Sequence, residues 1–371
     1  MTANGSYPGT KVFIAGGGVA GAALGVHLAR CGRQVEILEA SQAMHHKVCG
    51  EFLSFEAVAA LEQLGLDLRA LGAVAIHGVR LHARTRIAAC ELPFAALSLS
   101  RRVLDEALLG LAERAGAAVS RGRRVESLER DGDGWRARLT RGEVRRARAA
   151  FLATGKHDLA GHRRPPGRQN GYVAFKMYFR LSPAQQSSLD GWVELYLFPG
   201  GYAGLQMVEE GRTNLCLVVE RGTLMRCRNQ WPALLAHLCH ASGSLTERLD
   251  GAEPLLEKPL ALSSIPYGML PANSSDGLWR LGDQASVIPS LAGCGMAIAL
   301  HSAQLACEVY TRGGSAAEYA QRLRRHLKGS VGLATAISRL ICAAPNLAEV
   351  VRLWPGLLGV LAQRTRVPQD V

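Results

Sequence analysis

The spacing of apolar residues predicts a strand–helix–strand unit near the start of the chain. Residues 11–15 (KVFIA) and 34–38 (QVEIL) are short apolar runs, and residues 22–30 between them have helical spacing. Glycines separate the first run from the helical segment, and Cys31-Gly32 ends that segment. This order predicts a complete βαβ unit of about thirty residues.

The rest of the chain mixes helical and strand patterns and becomes helical toward its end. Apolar side chains recur at helical spacing in residues 55–64, 101–115, 231–240 and 296–310. Strand-like patterns occupy residues 74–92, 117–139, 149–154, 172–180, 193–198, 203–209, 212–219 and 278–282. From residue 316 the pattern is helical, with turns at Pro345 and Pro355. The composition changes at residues 162–169 (HRRPPGRQ), which predicts a boundary between two lobes.

Length and composition indicate a folded protein with more than one lobe. The chain has 371 residues, 48% of them hydrophobic, which is enough apolar surface to offset the ordering of the backbone. We see neither an apolar run of membrane-spanning length nor a secretory signal, so we expect a cytoplasmic protein. The net charge of +12 is spread along the chain without a nucleic-acid-binding motif, so we expect no nucleic-acid partner.

Cysteine and glycine differ in what they indicate. The nine cysteines form no CxxC pair, so we predict no metal site and no disulfide framework. Glycine accounts for 41 of the 371 residues, about 11% against a typical ~7%. The positions of these glycines therefore carry more information than the charge does.

A GxGxxG motif lies between the first strand and the first helix. Gly16 permits the tight turn, Gly18 lets the backbone approach a pyrophosphate, and Gly21 lets the helix pack closely on the sheet. The free N–H groups at the helix N-terminus attract phosphate. Glu39 follows the second strand, where an acid accepts hydrogen bonds from a ribose diol. Together these features predict a dinucleotide site.

A second glycine-rich segment, residues 282–296 (GDQASVIPSLAGCGM), has the features of another half of such a site. Gly282-Asp283 ends a predicted strand, and Gly293-x-Gly295 opens the helix that begins at Met296. The aspartate can bind a ribityl hydroxyl, and the helix N-terminus can face a pyrophosphate or a flavin carbonyl. Two sites far apart in the chain suit one long ligand, which favours FAD.

These motifs resemble those of the FAD-dependent oxidoreductases of the aromatic-hydroxylase and geranylgeranyl-reductase superfamily, which also contains the flavin halogenases. The resemblance rests on residues 16–21 with Glu39, on Arg101-x-x-Leu104-Asp105, on residues 153–155 (ATG) and on residues 282–296. It implies an α/β fold of the glutathione-reductase type. In that fold a Rossmann-type FAD-binding domain is interleaved with an antiparallel β-sheet substrate domain and followed by a helical C-terminus.

The resemblance implies a division of the chain and a set of cofactor contacts. The FAD-binding domain is expected to comprise residues 1–75, 98–162 and 276–312, the substrate domain residues 76–97 and 163–275, and the C-terminal helices residues 313–371. In the family the matched glycines and Glu39 hold the ADP half, Arg101 contacts the cofactor and Asp283 holds the ribityl chain. The cofactor-binding residues implied in this way are Gly16, Gly18, Val19, Ala20, Gly21, Glu39, Ala40, Arg101, Gly155, Gly282, Asp283, Pro289, Gly293, Gly295 and Met296.

Two further segments resemble the geranylgeranyl-reductase branch more than the simple phenol hydroxylases. Residues 47–54 (KVCGEFLS) resemble a Cys-Gly loop that in that branch lies beside the isoalloxazine, and residues 198–204 (FPGGYAG) resemble its Phe-Pro turn. The Trp-x-Trp-x-Ile-Pro motif of halogenases is absent, which disfavours halogenation. Gln284 and Ser286 depart from the usual residues of the second motif, so we expect a differently shaped flavin-facing loop.

The candidate catalytic residues are Cys49, Glu51 and Tyr202. Cys49 is either a proton donor, modulator or covalent attachment point beside the flavin, or a small packing residue. Glu51 is either a general base or charge partner, or a surface carboxylate. Tyr202 follows the Gly-Gly turn and is a further candidate proton donor.

The candidate substrate residues are Lys176, Tyr178 and Gln206. Lys176 and Tyr178 alternate on one predicted strand face, and Gln206 follows the Gly-Gly turn. An ordinary polar sheet face has the same pattern. The apolar substrate lobe and C-terminal segment indicate a small hydrophobic substrate, with peripheral membrane contact as the less favoured reading.

We therefore predict an FAD-dependent oxidoreductase. The first expectation is a monooxygenase that hydroxylates or epoxidises a hydrophobic aromatic or polyketide-like metabolite through the flavin C4a-hydroperoxide. The alternatives are a geranylgeranyl-reductase-like ene-reductase that saturates C=C bonds, and a flavin-binding protein without turnover. Since only one dinucleotide fingerprint is present, we expect NAD(P)H to bind transiently as electron donor, or a separate reductase to supply electrons.

Overall fold

The computed structural model describes residues 11–83, 86–272, 276–343, 364 and 366. The turns predicted at Pro345 and Pro355 lie outside these residues. The strands are β1 (Val12–Ala15), β2 (Val35–Glu39), β3 (Phe52–Leu53), β4 (Val74–Ala83), β5 (Arg86–Ser98), β6 (Ala118–Arg121), β7 (Val125–Asp131), β8 (Gly134–Leu139), β9 (Val144–Ala147), β10 (Ala149–Leu152), β11 (Tyr172–Arg180), β12 (Trp192–Phe198), β13 (Gly201–Val208), β14 (Arg212–Glu220), β15 (Glu253–Pro254), β16 (Leu260–Ser263) and β17 (Trp279–Arg280). The helices are α1 (Val19–Arg30), α2 (Phe55–Gln63), α3 (Arg101–Arg114), α4 (Pro183–Leu189), α5 (Arg221–Arg226), α6 (Trp231–Ala241), α7 (Gly243–Arg248), α8 (Gly295–Thr311) and α9 (Ala316–Ala343).

A five-stranded parallel sheet forms the centre of the nucleotide-binding part, in the order β17-β10-β1-β2-β6. Its central strands β1 and β10 are buried on both faces, as parallel strands between two covering layers must be. Helices α1, α3 and α8 cover one face. The three-stranded sheet β7-β8-β9 covers the other, through Trp135, Ala137 and Leu139.

A nine-stranded sheet forms the second lobe, in the order β15-β11-β14-β13-β12-β4-β5-β3, with β16 also paired to β11. Its pairings are antiparallel except for the parallel pair of β12 and β4. One face packs on α5, α6 and α7. The opposite face, which we call the site face, packs with Tyr267, Met269, Val287 and Leu291, which lie between the end of β16 and the start of α8.

The C-terminal helix α9 joins the two parts. Tyr319, Leu323 and Leu327 belong to the core beneath α8, while Ile341 and Cys342 at the end of α9 pack with the site-face cluster. Within the described part of the chain, no helix combines the length and the apolar character needed to cross a bilayer.

The predicted fold class is confirmed, and the differences are local. The strand predicted at residues 278–282 is limited to β17, because Gly282 has a φ of +52° and starts a 3₁₀ turn, Gly282–Gln284. The short helices α4, α5 and α7 were not predicted, since six or seven residues give too little apolar periodicity. β3 lies within residues 1–75 but pairs with β5 in the nine-stranded sheet.

Candidate functional site

The first glycine motif is built in a way that only glycine allows. Gly16 has a φ of +106°, and a Cβ there would lie 2.4 Å from the carbonyl oxygen of Ala153. A Cβ on Gly21 would lie 1.9 Å from the carbonyl oxygen of Gly16. Gly18 is the N-cap of α1, and no side chain caps its free N–H groups. The N-terminus of α1, with Val19 and Ala20 in its first turn, is therefore open to an anion.

Two cations lie directly over this helix N-terminus. A Cβ on Gly18 would be 3.4 Å from Nη2 of Arg101 and 3.6 Å from Nζ of Lys47. Both side chains are held by Asp105, at 2.8 Å from Lys47 Nζ and at 2.7 and 2.9 Å from Arg101 Nε and Nη2. Burial opposes ionisation of Asp105, but Arg101 and Lys47 keep its pKa below the ordinary value. The group carries a net positive charge that suits a pyrophosphate.

Glu39 is fixed at the end of β2 beside the same helix. Its Oε2 accepts the N–H of Gly17 at 2.7 Å, and its Oε1 accepts the N–H of Ser41 at 2.8 Å. A carboxylate has about four lone-pair positions, so two remain for a ribose diol. A groove lined by Glu39, Lys47 and Arg102 opens here, next to the exposed Ala40. The adenosine half of FAD fits this arrangement.

The second glycine motif meets the first in space. A Cβ on Gly282 would be 3.2 Å from Cβ of Ala20, so the two glycine turns touch. Asp283 lies 3.0 Å from Nζ of Lys156, and each side chain is about a quarter exposed, at 25% and 27%. Burial lowers the pKa of Lys156 but Asp283 outweighs it, and the net shift is upward. Together with Gly155, which has a φ of +62°, these residues could hold the middle of a long cofactor.

The departures in the second motif have a structural role. Gln284 donates from Nε2 to the carbonyl oxygens of Gly155 and His157, at 2.7 and 3.0 Å. Ser286 donates to the carbonyl oxygen of Met269 at 2.9 Å. These bonds fix the loop to its neighbours on both sides.

The loop before α8 rests on the site face. Gly293 has a φ of +67°, and a Cβ there would be 2.8 Å from the ring of Phe52. The N–H of Leu291 donates to the Tyr202 hydroxyl at 3.0 Å, and burial raises the pKa of that hydroxyl. Pro289 and Met296 are buried, whereas Gly295 is exposed at the N-terminus of α8. Tyr202 therefore supports the loop that would face a flavin.

The loop of residues 47–51 connects the cations near the N-terminus of α1 to the site face. Nδ2 of Asn214 on β14 donates to the carbonyl oxygens of Cys49 and Gly50, both at 3.0 Å. Cys49 is half-buried, and its Sγ accepts the N–H of Glu51 at 3.4 Å. At the end of this loop, Oε1 of Glu51 accepts the N–H of Arg101 at 2.7 Å, which links the loop to the start of α3.

Glu51 is the centre of a buried cluster with Lys176 and Tyr178. Its carboxylate lies 2.5 Å from Nζ of Lys176 and accepts the Tyr178 hydroxyl at 2.7 and 2.8 Å. Glu51 and Lys176 are both fully buried, and Glu51 has a φ of +65°, which is unusual for a residue with a side chain. Burial raises the pKa of Glu51, against the pull of Lys176. It also raises the pKa of Tyr178, together with Glu51.

Sequence reasoning named several of these residues without grouping them. The structure brings Glu51 together with Lys176 and Tyr178, while Gln206 lies on the same face without contacting that cluster. Sequence reasoning assigned no role to Lys47, Asp105, Lys156, His46 or Asn214. The spacing of Arg101 and Asp105, four residues apart on a helix, was the one available signal, since such pairs form ion pairs.

Comparison with known proteins agrees with this geometry. Residues 9–156 match the FAD-binding domain family. A menaquinone reductase of Mycolicibacterium smegmatis is 28% identical over 82% of this chain and 76% of its own length. A menaquinone reductase of Mycobacterium tuberculosis is 26% identical over 80% of this chain and 76% of its own length.

Solved structures share the whole fold. The flavin-dependent brominase Bmp2 superposes with a TM-score of 0.81 at 17% identity, over 97% of this chain and 93% of its own. PqsL of P. aeruginosa in complex with 2-aminobenzoylacetate has a TM-score of 0.72 at 19% identity, over 90% and 96%. The expected FAD cofactor is thereby confirmed. The chain is an FAD-dependent oxidoreductase whose fold is similar to that of the flavin-dependent brominase Bmp2 and of PqsL.

Proposed function

We propose that this enzyme saturates a C=C bond of an apolar substrate, and that Glu51 is the source of the proton. The observation that carries the proposal is the Glu51 cluster, in which a buried carboxyl with a raised pKa lies between a lysine and a tyrosine. When bound, FAD supplies the hydride. The second hydrogen must arrive as a proton at the neighbouring carbon, and the chain has to provide it.

The surroundings of Glu51 suit an acid that gives up its proton and regains it. Burial favours the neutral carboxyl before the reaction. After proton loss, Lys176 and the N–H of Arg101 stabilise the carboxylate that forms. A cation that is already in place costs no reorganisation during the reaction.

Tyr178 is the group through which this proton would reach the substrate. Tyr178, itself only 1% exposed, lies on the site face and contacts both carboxyl oxygens of the fully buried Glu51. Its raised pKa keeps the phenol protonated at neutral pH. As Tyr178 donates its proton to carbon, Glu51 replaces it.

His46 offers a route for reprotonation from solvent. Its ring centroid lies 4.9 Å from that of Tyr178, in an edge-on arrangement, and the side chain is half-buried. Burial, with Lys176 as the second cause, lowers the pKa of His46 to about 4, so the imidazole is neutral at pH 7 and can both accept and donate a proton.

Proton delivery distinguishes this reaction from others that FAD supports. A carbanion-like carbon needs a positioned acid, whereas oxygen transfer to an electron-rich ring needs no dedicated acid. The menaquinone reductases that match about four fifths of this chain support an apolar substrate with a conjugated ring and unsaturated carbons. Cys49 and Tyr202 remain candidates near the reacting groups, and transient NAD(P)H remains the proposed donor.

Oxygenation is the second candidate. It is favoured by the apolar cluster on the site face, with Leu81, Leu197 and Val218 among its members. Such surroundings exclude water, which protects reactive oxygen species from hydrolysis or loss. A hydrophobic aromatic or polyketide-like metabolite would fit this alternative.

The test is product analysis of a single turnover. Holoenzyme reduced with dithionite is mixed with menaquinone in deuterated water without oxygen, and the product is examined by mass spectrometry. We expect a product with one C=C bond fewer and two deuteriums on carbon, one from flavin N5, whose hydrogen exchanges with solvent, and one from the acid. A parallel reaction under labelled oxygen gas tests the second candidate.

The outcomes separate the two reactions. Label from oxygen in the product, with no anaerobic product, would replace reduction by oxygenation. A saturated product with fewer than two deuteriums on carbon would remove Glu51 and Tyr178 as the proton source, because their protons exchange with solvent.

A further inference from the structure

We infer that a depression on the site face, formed by Gly204 and Cys216, seats a flat conjugated ring that bears a carbonyl oxygen. The inference rests on the proposed function, since a C=C bond conjugated with a carbonyl is the kind that accepts hydride. It adds the substrate class and the residues that recognise it. We call this feature the Gly204–Cys216 depression.

The depression follows from one row of residues across four strands. Lys176, Cys216, Gly204 and Leu195 are direct neighbours in the registers of β11, β14, β13 and β12. The two outer residues are long, and the two middle residues are a cysteine and a glycine. Since neighbouring strands lie about 4.8 Å apart, the two short residues leave a gap about 10 Å wide between the outer side chains.

Exposure shows that this gap is open while its borders are closed. Gly204, Cys216 and Leu195 are half-buried, although they lie in the middle of a sheet. Tyr202 and Gln206, which precede and follow Gly204 on the same face, are buried. Solvent therefore reaches the sheet at the middle of this row.

The protein itself does not require glycine at position 204. A Cβ there would lie 3.6 Å from Leu195 Cδ2 and 3.8 Å from the carbonyl oxygen of Cys216, which are ordinary contacts. Gly201 on the same strand is different, because its Cβ would lie 2.2 Å from the carbonyl oxygen of Val218. The missing side chain at Gly204 is thus explained by space for a ligand.

The border of the depression supplies a hydrogen-bond donor for a carbonyl. Nε2 of Gln206 is buried, the residue being 3% exposed, and has no hydrogen-bond partner among the described residues. Leaving such a donor unpaired is unfavourable, and a ligand carbonyl that accepts its hydrogen bond would remove that cost. Lys176 is already paired with Glu51, and Leu195 and Tyr202 make the opposite border apolar. A carbonyl-bearing ring with an apolar remainder matches these borders.

The test uses oxidised holoenzyme, and the flavin absorbance spectrum reports binding without turnover. The probes are 2-methyl-1,4-naphthoquinone and 2-methylnaphthalene, which share a bicyclic carbon frame but differ in their carbonyl oxygens. We expect the naphthoquinone to bind about tenfold more tightly, the effect of one hydrogen bond to a buried donor. Gln206→Leu should remove this preference while leaving binding of the hydrocarbon unchanged.

Two variants of Gly204 test whether the Gly204–Cys216 depression binds the ring. Gly204→Leu should weaken both probes by about tenfold or more, since it fills the gap. Gly204→Ala, a smaller change that should fold in any case, should weaken them less. Gly222→Ala, on the surface of α5 in the same lobe, is the matched control.

The results test ring binding in the Gly204–Cys216 depression and the proposed C=C reduction separately. Unchanged binding in the Gly204 variants, or equal binding of the two probes to the wild type, would overturn the inference. Binding as expected, without carbon deuteration in the turnover experiment, would support the Gly204–Cys216 depression as the binding site of the ring and would reject the proposed reduction.

Discussion

Two buried carboxylates lie on opposite faces of the nine-stranded sheet, and their charges are compensated differently. Glu51, on the site face, is paired with Lys176 and accepts a hydrogen bond from Tyr178. Glu194, on β12, points to the opposite face and lies among Arg80, Arg248, His82 and Tyr196. Both carboxylates are at most 1% exposed, so burial itself does not distinguish them.

The number and geometry of the cations do distinguish them. Arg248 binds Glu194 through two nitrogens, at 2.6 and 3.0 Å, and Arg80 adds a third contact at 3.2 Å. Burial opposes ionisation, but the nearby His82, together with hydrogen bonds from Arg248 and Tyr196, lowers the pKa of Glu194. Glu51 has one lysine, and burial raises its pKa. Glu194 is therefore a fixed charge that holds helices on the sheet, whereas Glu51 can exchange a proton.

The largest effect should follow from removing the fixed charge. Glu194→Gln leaves Arg80 and Arg248 without their buried partner, and we expect unfolding to become easier by about 3–5 kcal/mol. Urea unfolding of the holoenzyme measures this. Glu129→Gln, which breaks the exposed pair with Arg136, is the control and should cost at most about 1 kcal/mol. A similar small loss in both variants would contradict the structural role of Glu194.

Removing the exchangeable proton should affect turnover. Glu51→Gln keeps a hydrogen-bonding side chain at the position but cannot donate an acidic proton, and we expect substrate reduction to slow by about 100-fold or more. Single-turnover oxidation of reduced flavin by substrate measures the rate, and flavin content confirms that FAD is retained. A near-normal rate in a variant that retains FAD would exclude Glu51 as the acid.

The two carboxylates should also respond to pH in opposite ways. Glu51 has a raised pKa, so a rate that needs its proton should be constant at low pH and fall about tenfold per unit above that pKa. Glu194 has a lowered folded pKa, so its contribution to stability is present above the ordinary value of 4.5 and is lost as pH falls below it. Rate profiles, and urea unfolding of wild type and Glu194→Gln against pH, measure the two trends. A rate that rises with pH would reverse the assignment of Glu51.

The smallest effects should come from the two tyrosines. Tyr196→Phe removes one hydrogen bond to an ionised carboxylate and should cost about 1.5–3 kcal/mol of stability with little change in rate. Tyr178→Phe should cost less stability, because burial favours the neutral form of its carboxyl partner, but it should slow proton transfer. Urea unfolding and single-turnover rates of both variants test whether Tyr196→Phe mainly lowers stability and Tyr178→Phe mainly lowers the rate. Equal changes in both properties would erase the difference between the two faces.

The sequence groups the residues of the glycine motif with Glu39, but it does not group Glu51 with Lys176 and Tyr178, and chain separation explains the difference. Gly16, Gly18, Gly21 and Glu39 lie within one βαβ unit, so local spacing determines their arrangement. Glu51 and Tyr178 are 127 residues apart and meet only because the loop of residues 47–51 docks on β11 and β14. No local pattern encodes that contact.

The gap at Gly204 and the backbone conformation of Glu51 could not be predicted, because both depend on residues that are distant in the sequence. The open gap at Gly204 requires the register of four strands, which a single sequence does not fix. The positive φ of Glu51 is likewise a consequence of tertiary contacts. Gln284, in contrast, departs from the family pattern, and the departure itself marked a residue with a specific role.

The most direct test of the central claim is to observe the protonation of Glu51 itself. Infrared spectra of holoenzyme at neutral pH, recorded in water and in deuterated water, reveal protonated carboxyl groups by their C=O stretching band and its isotope shift. The account predicts such a band in the wild type and in Tyr196→Phe, and its loss in Glu51→Gln. A wild-type spectrum without the band, or a band that persists in Glu51→Gln, would contradict it.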